Sequence, residues 1–299
     1  MVDELIIDTA GVRKAYGSVQ ALAGLDLRVP RGAICGLLGK NGAGKTTTIK
    51  VLLGMVRATS GQARVLGLPV DDAKASVAIR SRTAFVSEEK DLYAGMTVDE
   101  LIRFTAPFYP KWRADLASTL LAQLALRADA GVEALSRGMR TKLALVLALS
   151  TGAELVILDE PTSGLDPAAT EEILKILVKQ AGRDGTTVLF SSHQLADVEQ
   201  IADRIAIVDR GRVVVEGALD DVRARYKRIQ LVFDGDAPDA AFKSLGVVAA
   251  RKQGRVLSVL SSAGEDGVVA EARALKPKSV DVLPVTLKEI FLETVGVEN

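Results

Sequence analysis

Eight residues, Gly39–Thr46 (GKNGAGKT), constrain this chain more than any other stretch. They fit the pattern G-x-x-x-x-G-K-[ST]. The apolar run Ala33–Leu38 before them reads as a buried strand of a parallel sheet, and Thr46–Leu53 after them reads as the start of a helix. Strand, glycine loop and helix in that order make a phosphate cradle. The free N–H groups at the helix start point at the anion, and the helix dipole adds partial positive charge. Gly39, Gly42 and Gly44 let the loop backbone turn inward, with Lys40, Asn41 and Ala43 between them. Lys45 is placed to reach β- and γ-phosphates, the Thr46 hydroxyl to ligate Mg²⁺, and Thr47 to help hold the α-phosphate.

A second stretch, Leu155–Pro167 (LVILDEPTSGLDP), belongs with the first. Four apolar residues running into Asp159 and Glu160 describe a strand buried on both faces, whose C-terminal end is where open α/β sheets hold ligands. Asp159 can hold Mg²⁺ through water, and Glu160 is suited to take a proton from an attacking water. Two adjacent buried carboxylates are costly without a cation, which Mg²⁺ and Lys45 would supply. Pro161 ends the strand, and Asp166–Pro167 reads as the N-cap and first residue of a helix.

Composition narrows the class. The chain has 38 basic and 38 acidic residues among 299, so its net charge is zero, and this weighs against a nucleic-acid partner. No uncharged run approaches the ~20 residues of a membrane-spanning helix. The N-terminus does not read as a signal peptide, so the expected location is the cytosol or a membrane face. The one cysteine, Cys35, lies in an apolar run and is expected to be packed. The basic cluster Arg223, Arg225, Lys227 and Arg228 around Tyr226 reads as a solvated linker helix. The lone histidine, His193, follows an apolar run that ends in two serines. By itself such a residue is usually a satisfied structural group.

From Ile6 to about Gly217 the chain resembles the ATP-binding cassette (ABC) transporter ATPases, with the elements of that family in order. LSRGM, Leu135–Met139, stands in place of the usual LSGGQ signature and is similar to the variant of the ABC-2-type exporter branch. The resemblance implies that Ser136 and Gly138 face the γ-phosphate held by the opposite subunit. Arg137 is read as solvated. Asp166, in SGLD, matches the loop that crosses the dimer interface, and Tyr16, in KAYGS, the aromatic that stacks on adenine. His193 matches the histidine that bonds the γ-phosphate and orients water. Glu88 stands where the family has a glutamine. A carboxylate keeps the oxygen for Mg²⁺ but loses the amide donor.

Between Glu88 and Leu135 the chain reads as largely helical. Thr97 with Glu100 forms a capping box, and Tyr93, Phe104, Phe108, Tyr109 and Trp112 cluster here. Pro110 forbids a continuous helix. Some of these aromatics are expected in a local core and others in a groove for a membrane subunit, which the resemblance implies. After Gly217 the pattern changes to a linker helix, Leu219–Tyr226, then strand-like runs IQLVF, GVVAA, RVLSVLSS and VDVLPV. DAAFKSL and EDGVVAEARAL read as helices, and Thr286 with Glu289 as a second capping box.

The fold expected is α/β: a P-loop ABC ATPase core with an antiparallel β-subdomain and a helical subdomain, followed by a small α+β domain. The boundaries read as 1–217, with the helical part at about 89–150, and 218–299 for an accessory or dimerisation domain. The function the resemblance implies is the ATP-binding subunit of an ABC transporter. It would hydrolyse ATP with Mg²⁺ in a head-to-tail homodimer, at the cytoplasmic face of the membrane, to drive export through a separate transmembrane permease. The alternative is an ABC ATPase acting on ribosomes or nucleic acid.

Overall fold

The computed structural model describes residues 4–263 and 265–295, with the side chains at 183 and 184 excepted. The stretch read for a leader begins in residues 1–3, outside the described residues. The chain divides into two compact units, Met1–Val213 and Val214–Asn299, just before the boundary read from sequence.

The first unit opens with β1 (Leu5–Tyr16), β2 (Val19–Leu25) and β3 (Arg28–Pro30). Then come β4 (Ile34–Leu38), α1 (Lys45–Leu52), β5 (Ser60–Val65), β6 (Leu68–Pro69), α2 (Ala73–Ser81) and β7 (Thr83–Val86). The helices α3 (Val98–Thr105), α4 (Ala114–Gln123) and α5 (Arg137–Ser150) follow. The unit continues through β8 (Leu155–Leu158), α6 (Pro167–Asp184), β9 (Thr187–Ser192), α7 (Leu195–Ile201) and β10 (Arg204–Asp209) to the start of β11 (Arg212–Ala218), the strand in which the division falls.

Two sheets organise this unit. β1 pairs antiparallel with β2, β3 and β5, and β5 with β6, which forms the expected antiparallel subdomain. The other sheet has the order β11-β10-β4-β9-β8-β7, and β10, β4, β9, β8 and β7 run parallel. Every residue of β4, β8 and β9 is buried, which explains why these strands read as continuous apolar runs. Leu37, Ile49, Ile157 and Leu189 share one core with Leu22 and Leu25 of the antiparallel sheet. The segments that follow β4, β9, β8 and β7 therefore emerge side by side at one edge.

In the helical part, Thr97 caps α3 and Glu100 reaches back to the Thr97 N–H at 2.8 Å. A short 3₁₀ turn, Ala106–Phe108, replaces further helix ahead of Pro110. Tyr109 and Trp112 are half-buried, whereas Tyr93, Phe104 and Phe108 are exposed. The exposed three stack edge to face, with ring centroids 5.3 Å and 5.5 Å apart.

The second unit carries α8 (Leu219–Arg225), β12 (Lys227–Val232), β13 (Val247–Gln253), β14 (Val256–Ser261), α9 (Asp266–Ala274), β15 (Ser279–Pro284) and α10 (Leu287–Thr294). Its strands form an antiparallel sheet in the order β13-β14-β12-β15. Ile229, Leu231 and Val259 of the sheet pack with Val268 and Ala272 of α9. The capping box at Thr286 and Glu289 is formed. The linker helix is present, but Tyr226 in the basic cluster is only 4% exposed, and Arg228 pairs with Glu289. The cluster is thus built partly into the unit rather than wholly solvated.

One expected helix is absent. DAAFKSL, residues 239–245, is irregular. The Lys243 N–H donates to Glu271 Oε2 at 2.8 Å, so α9 takes the donor that a helix would have used. Seven residues are also too few to hold a helix without tertiary support.

Candidate nucleotide-binding and hydrolytic site

The glycine loop leaves β4 and turns directly into α1. Gly44 sits at the N-cap with φ of 112°, a conformation that side chains rarely adopt. Among the described residues no side chain caps α1, so the first N–H groups remain directed along the helix axis into the loop. A Cβ at Gly44 would lie 2.8 Å from the carbonyl oxygen of Ala21 on β2. Gly211, in the turn between β10 and β11, presses on the same place, since its Cβ would lie 2.6 Å from that oxygen. Gly211 also donates its N–H to Ala43 O at 2.9 Å and accepts from Ala23 N at 2.9 Å. Glycine loop, antiparallel sheet and strand turn thus meet backbone to backbone.

Lys45 is 7% exposed. Its Nζ donates to Gly39 O at 2.8 Å and lies 3.4 Å from Glu160 Oε1. Glu160, beyond the end of β8, is 6% exposed and has φ of 49°. That left-handed conformation is costly for a residue with a side chain and persists only where the surroundings enforce it. Each polar group of Glu160 has a partner. The N–H donates to Ser191 Oγ at 2.9 Å, and the carbonyl accepts from Lys90 Nζ at 2.9 Å. Oε1 faces Lys45, and Oε2 lies 2.8 Å from His193 Nδ1.

Asp159 is 2% exposed, and its Oδ1 accepts from Ser191 Oγ at 2.6 Å. The single Ser191 hydroxyl therefore bridges both carboxylate residues. Thr162 Oγ1 donates to Asp197 Oδ2 at 2.5 Å and ties the following loop to α7. Lys90 is buried, and burial lowers its ammonium below the ordinary lysine value, against the opposing pull of Glu88, Asp159 and Glu160.

An open cleft of about 570 Å³ gathers most of the residues singled out from sequence. Tyr16, Lys40, Asn41, Gly42, Gly44, Lys45, Thr46, Thr47, Glu88, Glu160 and His193 all line it. Gly39 and Ala43 belong to the loop without lining the cleft, and Asp159 is buried and does not line it either. Tyr16 is 46% exposed, and Lys14 Nζ covers one face of its ring at 5.0 Å. Ser136, Gly138 and Asp166 do not line the cleft. Ser136 caps α5 by accepting from Met139 N at 3.2 Å, and Asp166 caps α6 by accepting from Ala169 N at 2.9 Å. Arg137 is exposed, as expected, yet its guanidinium lies over Gly164 of SGLD, where a Cβ would come within 2.8 Å of Cζ.

Ser191 and Lys90 were not among the residues chosen from sequence. The serine pair ahead of His193 was a visible signal for Ser191. Lys90 had none, because the carbonyls it holds are about seventy residues away.

Residues 22–163 match the family described as ABC transporter. The chain is 34% identical over 313 residues to the daunorubicin resistance ATP-binding protein DrrA3 of Streptomyces coeruleorubidus, covering 97% of this chain and 96% of that one. It is 31% identical to the bacitracin transport ATP-binding protein BcrA of Bacillus licheniformis, covering 96% and 95%. Among solved structures, an ATP-binding subunit of an ABC transporter superposes with a TM-score of 0.67 at 31% identity, over 73% of this chain and 92% of that one. Both named relatives extend through the second unit. With the loop, Glu160 and the histidine assembled in one cleft, the chain belongs to the ABC transporter family, as one of its ATP-binding, ATP-hydrolysing subunits.

Proposed function

We propose that Glu160 is the general base for ATP hydrolysis in this cleft, and that the energy drives export through a separate membrane permease. The observation that carries the reading is the placement of the Glu160 carboxylate between Lys45 Nζ and His193 Nδ1. Because a carboxylate only accepts, the bond from His193 puts a proton on Nδ1 and leaves Nε2 of the neutral ring to accept from a water. A γ-phosphate offers both Lys45 and His193 a stronger anion. Their transfer to it releases Glu160 to accept the proton of an attacking water. Lys45 and the N–H groups of the loop then oppose the charge that develops on the phosphoryl oxygens. Tyr16 presents its remaining ring face to adenine.

Mg²⁺ fits the residues present. Thr46 and Glu88 line the cleft, and Asp159 has a second carboxylate oxygen besides the one bonded to Ser191. Among the described residues no three His, Cys, Asp or Glu side chains converge on a metal site. A Mg²⁺ bound mainly through nucleotide phosphates and water is consistent with that, and it would neutralise phosphate charge. Glu88 keeps the role of the family's glutamine. Unchanged hydrolysis and unchanged coupling in Glu88→Ala would refute that assignment.

Ser136, Gly138 and Asp166 serve a second copy. Ser136 is exposed at the N-terminal end of α5, suited to reach the γ-phosphate of a partner in a head-to-tail dimer. Tyr93, Phe104 and Phe108 form the apolar face for a helix of the permease. Among the described residues no helix is long and apolar enough to cross a membrane, so the transport pathway is assigned to another chain at whose cytoplasmic face this one sits. Export is supported by the relatives named for daunorubicin resistance and bacitracin transport.

The test is a pull-down of tagged Glu160→Gln protein from detergent-solubilised membranes with Mg·ATP. A co-purifying polytopic membrane protein would support the reading. Ribosomes or nucleic acid in its place would overturn the permease assignment. The second unit is assigned to dimerisation or regulation. A deletion of residues 219–299 that left assembly, activity and regulation intact would refute this.

A further inference from the structure

Lys90 lies in the loop after β7, two residues beyond Glu88, and has φ of 53°. It is 8% exposed, a rare degree of burial for a lysine. Its ammonium is directed at one dipeptide, 2.9 Å from Glu160 O and 3.4 Å from Asp159 O. A methionine would fill the same space without the cost of burying a charge. Packing alone therefore does not account for this residue. What the ammonium supplies is a fixed donor to the carbonyl of a residue held in a left-handed conformation. Among the described residues the other donor to that carbonyl is Ser163 N, at 3.3 Å. Without Lys90 the carbonyl would keep only this longer bond, and the φ of 49° at Glu160 would lose one of its restraints.

We infer that Lys90 is a positioning residue for hydrolysis: it clamps the Glu160 backbone so that the carboxylate points into the cleft. The inference rests on the reading of Glu160 as the base. It also gives the loop a mechanical role. Glu88 lines the cleft and Lys90 grips Glu160, so one three-residue segment touches the nucleotide side and the base together. A displacement of that segment moves the base.

The test is a double-mutant cycle on the full chain, combining Lys90→Met with Glu160→Gln and read by single-turnover and steady-state ATP hydrolysis. Binding of a fluorescent ATP analogue and thermal melting are measured alongside. Lys90→Met is expected to lower kcat roughly ten- to hundredfold, the scale for a misplaced catalytic group, with KM for ATP changed by less than about twofold. Lys90→Arg should restore much of the loss, because it returns a cationic donor. The double variant should be no slower than Glu160→Gln alone, since both changes act through one carboxylate. Full activity of Glu160→Gln would overturn the base assignment itself. Loss in Glu160→Gln with wild-type rate in Lys90→Met, or losses that multiply in the double variant, would overturn the role of Lys90 and leave the base standing. Should Lys90→Met not fold, Lys90→Leu, which likewise carries no donor, takes its place in the same cycle with the same outcomes.

Discussion

His193 Nδ1 lies 2.8 Å from Glu160 Oε2, while the other oxygen of the same carboxylate lies 3.4 Å from Lys45 Nζ. The only histidine of the chain and the lysine of the glycine loop thus hold one carboxylate from two sides. Replacing His193 with Ala should lower kcat by about 10²-fold, within the range for losing one positioned proton-handling or polar group. ATP binding should change little, because the loop and Tyr16 are untouched. Steady-state hydrolysis measured beside nucleotide titration separates the two.

Ser191→Ala removes one hydroxyl and loosens two carboxylate residues. The Glu160 N–H is left buried without its acceptor, and Asp159 loses a donor. A stability loss of about 1–3 kcal/mol is expected in urea denaturation. Turnover should fall by more than ATP affinity does.

Gly44 and Gly42 both have positive φ, at 112° and 79°, but only Gly44 is crowded. A Cβ at Gly42 would meet nothing within 4 Å, whereas at Gly44 it would meet Ala21 O at 2.8 Å. Gly42→Ala should carry only the conformational cost of roughly 1–2 kcal/mol. Gly44→Ala should weaken ATP binding further, because the loop must move away from β2. Melting curves with and without nucleotide would rank the pair.

Away from the cleft, Glu154 accepts from Arg82 Nε at 2.8 Å and Arg31 Nη1 at 3.1 Å. These hydrogen bonds, that from Arg82 above all, lower the carboxyl to about 2 from an ordinary 4.5. A carboxyl depressed in the folded state stabilises above its unfolded value and ceases to do so as pH falls through the folded one. The group is partly exposed, so its contribution is on the order of 1–2 kcal/mol after screening. Glu154→Gln should melt below the wild type at pH 7, and the gap should shrink between about pH 5 and pH 2.

Local signals were the legible ones. Leu155–Leu158 read as a buried strand because all four residues are apolar, and the boxes at Thr97 and Thr286 announced helix starts within four residues. The cleft residues could be chosen because a phosphate site is written in short, ordered motifs. What could not be read were bonds between distant segments. Lys90 reaches carbonyls that no side-chain pattern marks, and Ser191 serves Asp159 and Glu160 across two adjacent strands. DAAFKSL failed for the same reason, since Glu271, far along the chain, takes its Lys243 N–H. Ser136, Gly138 and Asp166 stay outside the cleft of one chain, and a single sequence holds no geometry of a second copy.

The glycine seam at Ala21 sets where this protein can change. At Gly211 the turn cannot accept a larger residue, because backbone lies against it on the side a Cβ would occupy. The turn at Gly17, by contrast, opens to space within 4 Å, and joins β1 to β2 beside Tyr16. Changes that retune the grip on the base of the nucleotide are thus expected at the turn of Gly17 rather than at Gly211. For anyone grafting or diversifying this cleft, the permissive turn is the one that joins β1 to β2, and the forbidden one joins β10 to β11.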